Sequence, residues 1–285
     1  MTSTLKRVLV CPPLSANWAD KERASAWKDL GFLHAPDFGL AETQHRQMVR
    51  TLEEADCQVL SLAGPGLSMD AVYVHDASLV TDLGAICLRM GKPARCSEPA
   101  AHAAWYAASG IPVLGEVRPP GTVEAGDVLW LREKTLLVGR GYRTNAEGIN
   151  QLAAILGPYG IDVIAAPLPH GAGPQTCLHL MSLISLLDDR TALADPSWLA
   201  VETIELLSRL EYRLLEIDQS ERDTLACNVL SLGGRRLLAM EENRRTNSVL
   251  RRERFQVSTF SGSELGINGG GGPTCLTRPI LRGDG

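Results

Sequence analysis

Apolar positions along the chain come in short runs whose spacing changes every ten to fifteen residues. Residues 5–11 are continuously strand-like and end abruptly at Pro12-Pro13, which predicts a buried strand. Between 40 and 55 the spacing turns helical, with Met48, Val49, Leu52 and Ala55 on one face, and a strand follows at 57–62. The alternation then continues. Strands are expected at 82–87, 128–131, 136–138, 162–166 and 213–217, and helices at 98–109, 146–156 and 197–210. Thr144 or Asn145 can cap the helix that begins at 146. An apolar run also opens at Cys177-Leu178-His179-Leu180 and continues to residue 187.

Three stretches break the pattern. Residues 17–38 are aromatic, charged and irregular, punctuated by Gly31 and Pro36; a loop of this length predicts either a flap or a surface excursion without a role. Residues 70–80 read as a strand interrupted by Asp70, His75 and Asp76, and a buried Asp76 would require a cationic partner or ligand. Asn268-Gly269-Gly270-Gly271-Gly272-Pro273-Thr274-Cys275 places one cysteine behind four glycines, just before a last ordered segment. Glycine lets another group come close to the backbone, so Cys275 is a candidate nucleophile.

Composition narrows the class. Hydrophobic content of 45%, charged content of 21% and a net charge of -5 describe an ordinary globular chain, and the 285 residues suffice for one domain spanning 1–285. The mild acidity gives no basic stripe for nucleic acid. No apolar run is long enough for a membrane helix, and the 8–11 run is too short for a secretory leader. Seven cysteines without a C-x-x-C pair argue against a disulfide framework or zinc site and for a reducing cytoplasm. No metal and no cofactor is therefore expected.

The decisive pattern is an internal repeat. The segment from Asp127 to Arg143-Thr144-Asn145 parallels the segment from Asn228 to Arg245-Thr246-Asn247. Asp76, Asp127, His179, Asn228 and Cys275 head five segments separated by 51, 52, 49 and 47 residues. A period near 50 with strand, strand, helix, strand content predicts five repeated ββαβ units closed into a ring. Such an α/β-propeller would aim the five residues at one central channel and leave few open sheet edges.

A thiolate, an imidazole and several carboxylates on one axis suit a planar cation with an electrophilic carbon, that is, a guanidinium or amidinium. Paired carboxylates hold its fork, the thiolate adds to its central carbon, and histidine protonates the departing amine before activating water. Glu124 and Asp127 flank the flexible Ala125-Gly126 at the mouth of such a channel, and Arg95 and Arg143 are candidates for a substrate carboxylate.

The motifs Asp70-x5-Asp76, Pro120-Gly-Thr-Val-Glu124-Ala-Gly-Asp127, Arg143-Thr-Asn-Ala-Glu-Gly148 and Leu178-His179-Leu180 complete the pattern, with the glycine-rich approach to Cys275. Together they resemble the guanidino-group-modifying enzymes of five-bladed α/β-propeller fold, the pentein superfamily, over nearly the whole chain. The branch most similar is the dimethylarginine dimethylaminohydrolases. That resemblance implies Cys275 as nucleophile, His179 as general acid and base, and Glu124 as its partner. It implies Asp76 as the guanidinium clamp and Asp70, Arg95 and Arg143 at the amino-acid end of a small guanidino substrate. It also places the Gly269 carbonyl near the substrate's amino group and makes Phe32 and Leu33 flap residues. His75 stands beside Asp76 where this branch usually carries an acid, and Met181 stands where arginine deiminases carry the aspartate of a His-x-Asp. The missing aspartate favours a substituted guanidine: a hydrolase giving citrulline and a methylamine from methylated arginines. Arginine itself, a shorter guanidino acid, amidino transfer, or a propeller that only binds are the alternatives. By analogy a homodimer is allowed.

Overall fold

The computed structural model describes residues 2–283. The chain opens with β1 (Thr4–Val10), α1 (Lys21–Ala24), α2 (Trp27–Leu30), α3 (Phe38–Glu54) and β2 (Gln58–Ser61). A second unit holds β3 (Ser78–Thr81), β4 (Gly84–Cys87), α4 (Glu98–Ala108) and β5 (Val113–Glu116). The third holds β6 (Val128–Arg132), β7 (Thr135–Arg140), α5 (Ala146–Leu156) and β8 (Asp162–Pro167). The fourth is β9 (Ile184–Leu186), β10 (Thr191–Ala194), α6 (Val201–Arg209) and β11 (Arg213–Glu216). The fifth is β12 (Leu230–Gly233), β13 (Arg236–Met240), α7 (Arg244–Arg252) and β14 (Gln256–Phe260), and β15 (Arg278–Gly283) ends the chain.

These strands make five separate three-stranded sheets. In each, the first strand pairs antiparallel with the second, and a helix returns the chain so that the third lies parallel to the second. The first sheet is closed differently. Its inner strand is β15, which pairs antiparallel with β1 (Val8 opposite Pro279), while β1 runs parallel to β2 (Val8 beside Val59). The two ends of the chain therefore share one blade, and the ring closes on itself. This is the expected five-bladed α/β-propeller of ββαβ units.

Between neighbouring blades the core is apolar. Leu136 and Val138 of β7 pack with Ile149, Leu152 and Leu156 of α5 and with Leu79 and Ile86 of the second blade. Burying each such side chain is worth about 1.5–3 kcal/mol. A one-residue slip of β7 would turn Leu136 and Val138 away from this core, which fixes its register.

Four predicted stretches take other forms. Residues 70–80 do not form one strand: Met69–Val72 is a 3-10 turn, and β3 begins only at Ser78. The reason is that Asp70 and Asp76 are buried and take side-chain partners that a ladder would not supply. The 177–187 run breaks into a 3-10 turn (Leu180–Ser182) and the short β9. Pro196 starts a separate 3-10 turn, so α6 begins at Val201. Residues 17–38 contain two short helices, the first capped by the Asp20 carboxylate. Among the described residues no helix is long and apolar enough to cross a membrane.

Candidate active site

Each of the five residues that head the repeats lies in the segment leading into its blade's inner strand: Asp76 before β3, Asp127 before β6, His179 before β9, Asn228 before β12 and Cys275 before β15. The ring thus delivers them to one end of the axis, and hydrogen bonds knit the loops together. Asp76 accepts from Gly126 N at 3.0 Å, and its own carbonyl accepts from Ala125 N at 3.0 Å. Asp127 Oδ1 accepts from Leu180 N at 2.9 Å, which seats the turn carrying His179. His75 N donates to the Cys275 carbonyl at 3.1 Å, joining the second blade to the Cys275 loop.

His179 and Glu124 form the central pair, with Nε2 donating to Oε2 at 2.8 Å and both residues buried. Burial pulls the His179 pKa down, but Cys177, Asp127 and Asp76 outweigh it and hold it well above the ordinary histidine range. Burial likewise works to raise Glu124, while its bond to His179 and the charge of that ring bring it below the usual value. The two directions agree: the pair is imidazolium and carboxylate near neutral pH. Glu124 Oε1 is fixed separately by Lys92 N at 2.9 Å.

Cys275 lies at the edge of this pair, half-buried, with Asn228 Nδ2 donating to its sulfur at 3.1 Å. Asn228 Oδ1 in turn accepts from Thr274 N at 2.9 Å, so one amide orients both the sulfur and the backbone before it. The glycines ahead of Cys275 are needed for close approach. A Cβ on Gly271 would stand 2.4 Å from the Tyr73 ring, and one on Gly272 would stand 2.7 Å from Asn228. Burial first, and Asp76 second, push the thiol up to about 11, against the charge of His179 and the bond from Asn228.

Asp76 points its other oxygen at Arg95 Nη1, 2.5 Å away. Burial works to raise the Asp76 pKa, but Arg95, then His179 and His75, bring it below the usual carboxylate range. Arg95 is itself enclosed, with Nε and Nη2 on Glu98 and Nη2 on the Tyr73 carbonyl. Its guanidinium is thus directed at Asp76, not at open space. Asp70 pairs with Lys92 Nζ. Arg143 lies 3.5 Å from Glu124 Oε1 at the rim.

Over the site, Leu33 N donates to the Asn268 carbonyl at 2.9 Å, and His34 N donates to Asn268 Oδ1 at 2.9 Å. Phe32 is buried edge-on against Trp18, while Leu33 is exposed. Gly269 sits under Phe32 and Tyr73, where a Cβ would come within 1.9 Å of the Tyr73 hydroxyl. Lys92 Nζ also donates to Leu30 O at 2.6 Å, tying α2 to Asp70. The ring of His75 turns toward the axis, with Nδ1 2.8 Å from the Thr277 carbonyl; burial and the charge of Arg278 lower it to about 3, so it is neutral.

Sequence reasoning overlooked Lys92 and Cys177. Lys92 carried no signal of its own in the sequence, and only folding brings it to Asp70 and to Leu30 at the end of α2. Cys177 Sγ lies 3.6 Å from His179 Nδ1. Its position two residues before the histidine was the available signal. Among the described residues, Glu124, Cys177 and His179 bring ligand atoms within 4.8 Å of one another, a grouping that could hold a metal ion.

Comparison with known proteins bears on the family and the fold. The arginine deiminase family model matches residues 68–214 and 202–282. An N(G),N(G)-dimethylarginine dimethylaminohydrolase of Streptomyces coelicolor is 32% identical over 214 residues, 75% of this chain and 76% of its own. The dimethylarginine dimethylaminohydrolase of Pseudomonas aeruginosa, solved with citrulline, matches with a TM-score of 0.78 at 25% identity, over 97% of this chain and 100% of that one. The N-terminal domain of a cyanobacterial arginine dihydrolase shares the fold, with a TM-score of 0.81 at 20% identity over 97% of both chains. With a match across most of its length and a five-bladed ring, the chain belongs to the arginine deiminase family, in the pentein superfamily, and is a hydrolase of C–N bonds.

Proposed function

We propose that the protein hydrolyses Nω-methylated arginine to citrulline and a methylamine. The observation that carries this is the meeting of Cys275, the His179–Glu124 ion pair and Asp76 at one end of the axis. Asp76 and Glu124 offer carboxylate oxygens to a planar cation. Arriving there, the guanidinium adds positive charge beside a thiol held near 11, so the thiol releases its proton to solvent and the thiolate is stabilised. The sulfur then bonds to the guanidinium carbon, giving a tetrahedral adduct. His179 donates its proton to the substituted nitrogen, the C–N bond breaks and the methylamine leaves. A covalent thiouronium remains on Cys275. His179, now neutral, takes a proton from water as that water attacks the same carbon; the C–S bond then breaks, the new hydroxyl proton passes to the departing thiolate, and citrulline is released with Cys275 restored as a thiol. Asp70, Arg143 and the Gly269 carbonyl bind the amino-acid end. Arg95 serves this site by holding Asp76 in place.

Methylated substrate is favoured because Met181 stands where an unsubstituted nitrogen would need a second carboxylate. Relatives named as dimethylarginine dimethylaminohydrolases are 32% and 28% identical, against 24% for those named arginine deiminase. The test is a guanidine panel: asymmetric dimethylarginine, monomethylarginine, arginine and shorter guanidino acids, with citrulline and released amine read by mass spectrometry. Citrulline and dimethylamine from the first, abolished by Cys275→Ser, are the expected result. Turnover of arginine or a shorter acid without turnover of the methylated compounds would overturn it.

A further inference from the structure

On the far side of the catalytic residues, the inner strands enclose a channel along the propeller axis, with about 870 Å³ of empty space including its mouth. It begins at His75 and Thr274, behind the active site, and ends at Asp82, Leu281 and Arg282 on the opposite face. Its wall carries a charge that the protein leaves unneutralised. Arg278 is only 4% exposed, and its Nε is buried with no hydrogen-bond partner. Its Nη2 donates to the His75 carbonyl. Arg282, four residues further along β15, donates to the carbonyls of Ser3 and Ser231, both at 2.8 Å. Among the described residues neither arginine has a carboxylate partner, and the nearest acid on the wall is Asp82 at the exposed mouth. The groups acting on the charge of Arg278 are the Tyr106 phenol and the Asp76 carboxylate, and Arg95 already holds the latter.

A buried guanidinium with a free N–H and no counter-charge is strongly unfavourable, and burial accordingly lowers Arg278 to about 10. Arginine's planar fork matches an oxyanion, and the hydroxyls of Ser185, Ser231 and Thr274 line the same channel. We propose that the axial channel is a binding site for a small tetrahedral oxyanion such as phosphate or sulfate, drawn in past Arg282 and seated on Arg278. The site communicates with catalysis through one residue. His75 gives its carbonyl to Arg278 and its N–H to the Cys275 carbonyl, and it adjoins Asp76. Neutralising Arg278 removes a positive charge behind the guanidinium clamp, so the bound anion strengthens capture of a cationic substrate.

Phosphate, sulfate, acetate and chloride are titrated into the full protein at constant ionic strength and followed by calorimetry and by tryptophan fluorescence, since Trp130 lines the channel. Expected are saturable one-site binding of phosphate and sulfate and a fluorescence change lost in Trp130→Phe. Arg278→Gln should weaken binding at least about tenfold, through loss of a charge-assisted contact. Should Arg278→Gln fail to fold, Leu281→Glu tests the same site from the exposed mouth: its charge should weaken binding severalfold while Leu281→Gln does not. Equal responses to all four anions, no saturation, or binding unchanged in both Arg278→Gln and Leu281→Glu would overturn the proposal. A second readout rests on the proposed reaction, whereas binding does not: saturating phosphate should lower KM severalfold with kcat unchanged.

Discussion

Gly126→Ala is the sharpest perturbation of the catalytic geometry. Gly126 lies between Asp76, which accepts its N–H at 3.0 Å, and the His179 ring, whose Nδ1 stands 2.3 Å from where a Cβ would be. A methyl group cannot occupy that point, because carbon and nitrogen in contact sit a little over 3 Å apart. The ring must move by about 1 Å, or the backbone must retreat from Asp76; contacts at this density strain by about 1–3 kcal/mol when overpacked. Displacing the ring lengthens the 2.8 Å bond to Glu124, a charge-assisted hydrogen bond worth about 1.5–3 kcal/mol. Converted to rate, this is a loss of about 10- to 150-fold, in line with the effect of a 1 Å misplacement of a catalytic group. The loss should fall on kcat, because Asp76 and Arg143 keep their positions and the substrate still binds. The assay is steady-state citrulline formation, with circular dichroism and the thermal midpoint as folding controls. Wild-type kcat in a folded Gly126→Ala protein would refute the assignment of His179 as the group that transfers the proton.

Other consequences are directly measurable. Because the free thiol of Cys275 is held near 11, alkylation by neutral iodoacetamide should climb about tenfold per pH unit from 7 to 10, and a cationic amidine reagent should react far faster at pH 7; a plateau reached below pH 8 would contradict this. Buried His102 is lowered to about 3, so below pH 6.5 the unfolded chain takes up a proton that the folded one refuses, and stability falls as pH falls. His102→Gln should therefore flatten the dependence of unfolding free energy on pH between 6 and 4 by about 1.4 kcal/mol per unit, measured by urea denaturation. Lys92→Met cuts the tie between Leu30 and Asp70, and limited proteolysis within residues 21–31 should accelerate by about tenfold, an unchanged pattern counting against the flap anchor. Asn228→Ala removes a donor to the sulfur and the support of Thr274, so kcat should drop by about 10-fold or more with little change in KM.

Much of this protein is local in its chain. The ββαβ period shows because every blade repeats one hydrophobic rhythm, and Asp76, Asp127, His179, Asn228 and Cys275 could be placed at equivalent points by spacing alone. The glycines before Cys275 announced a close approach without revealing what approaches; the partners are Tyr73 and Asn228, which lie about 200 and 45 residues away in sequence. What the sequence could not decide were the pairings of charge. In sequence, Arg95 is a candidate for a substrate carboxylate and Lys92, three residues before it, draws no assignment, yet folding closes one on Asp76 and the other on Asp70. The interrupted run at 70–80 looked like a strand because periodicity sees only apolar alternation, and two buried carboxylates outweighed it by demanding partners from the loop after β4. The Arg278 charge without a carboxylate partner was likewise invisible, since a charge is unneutralised only with respect to everything that surrounds it. Hydrophobic patterning is written in neighbouring residues and determines the ring; electrostatic partnership is long-range, and only the closed ring decides it.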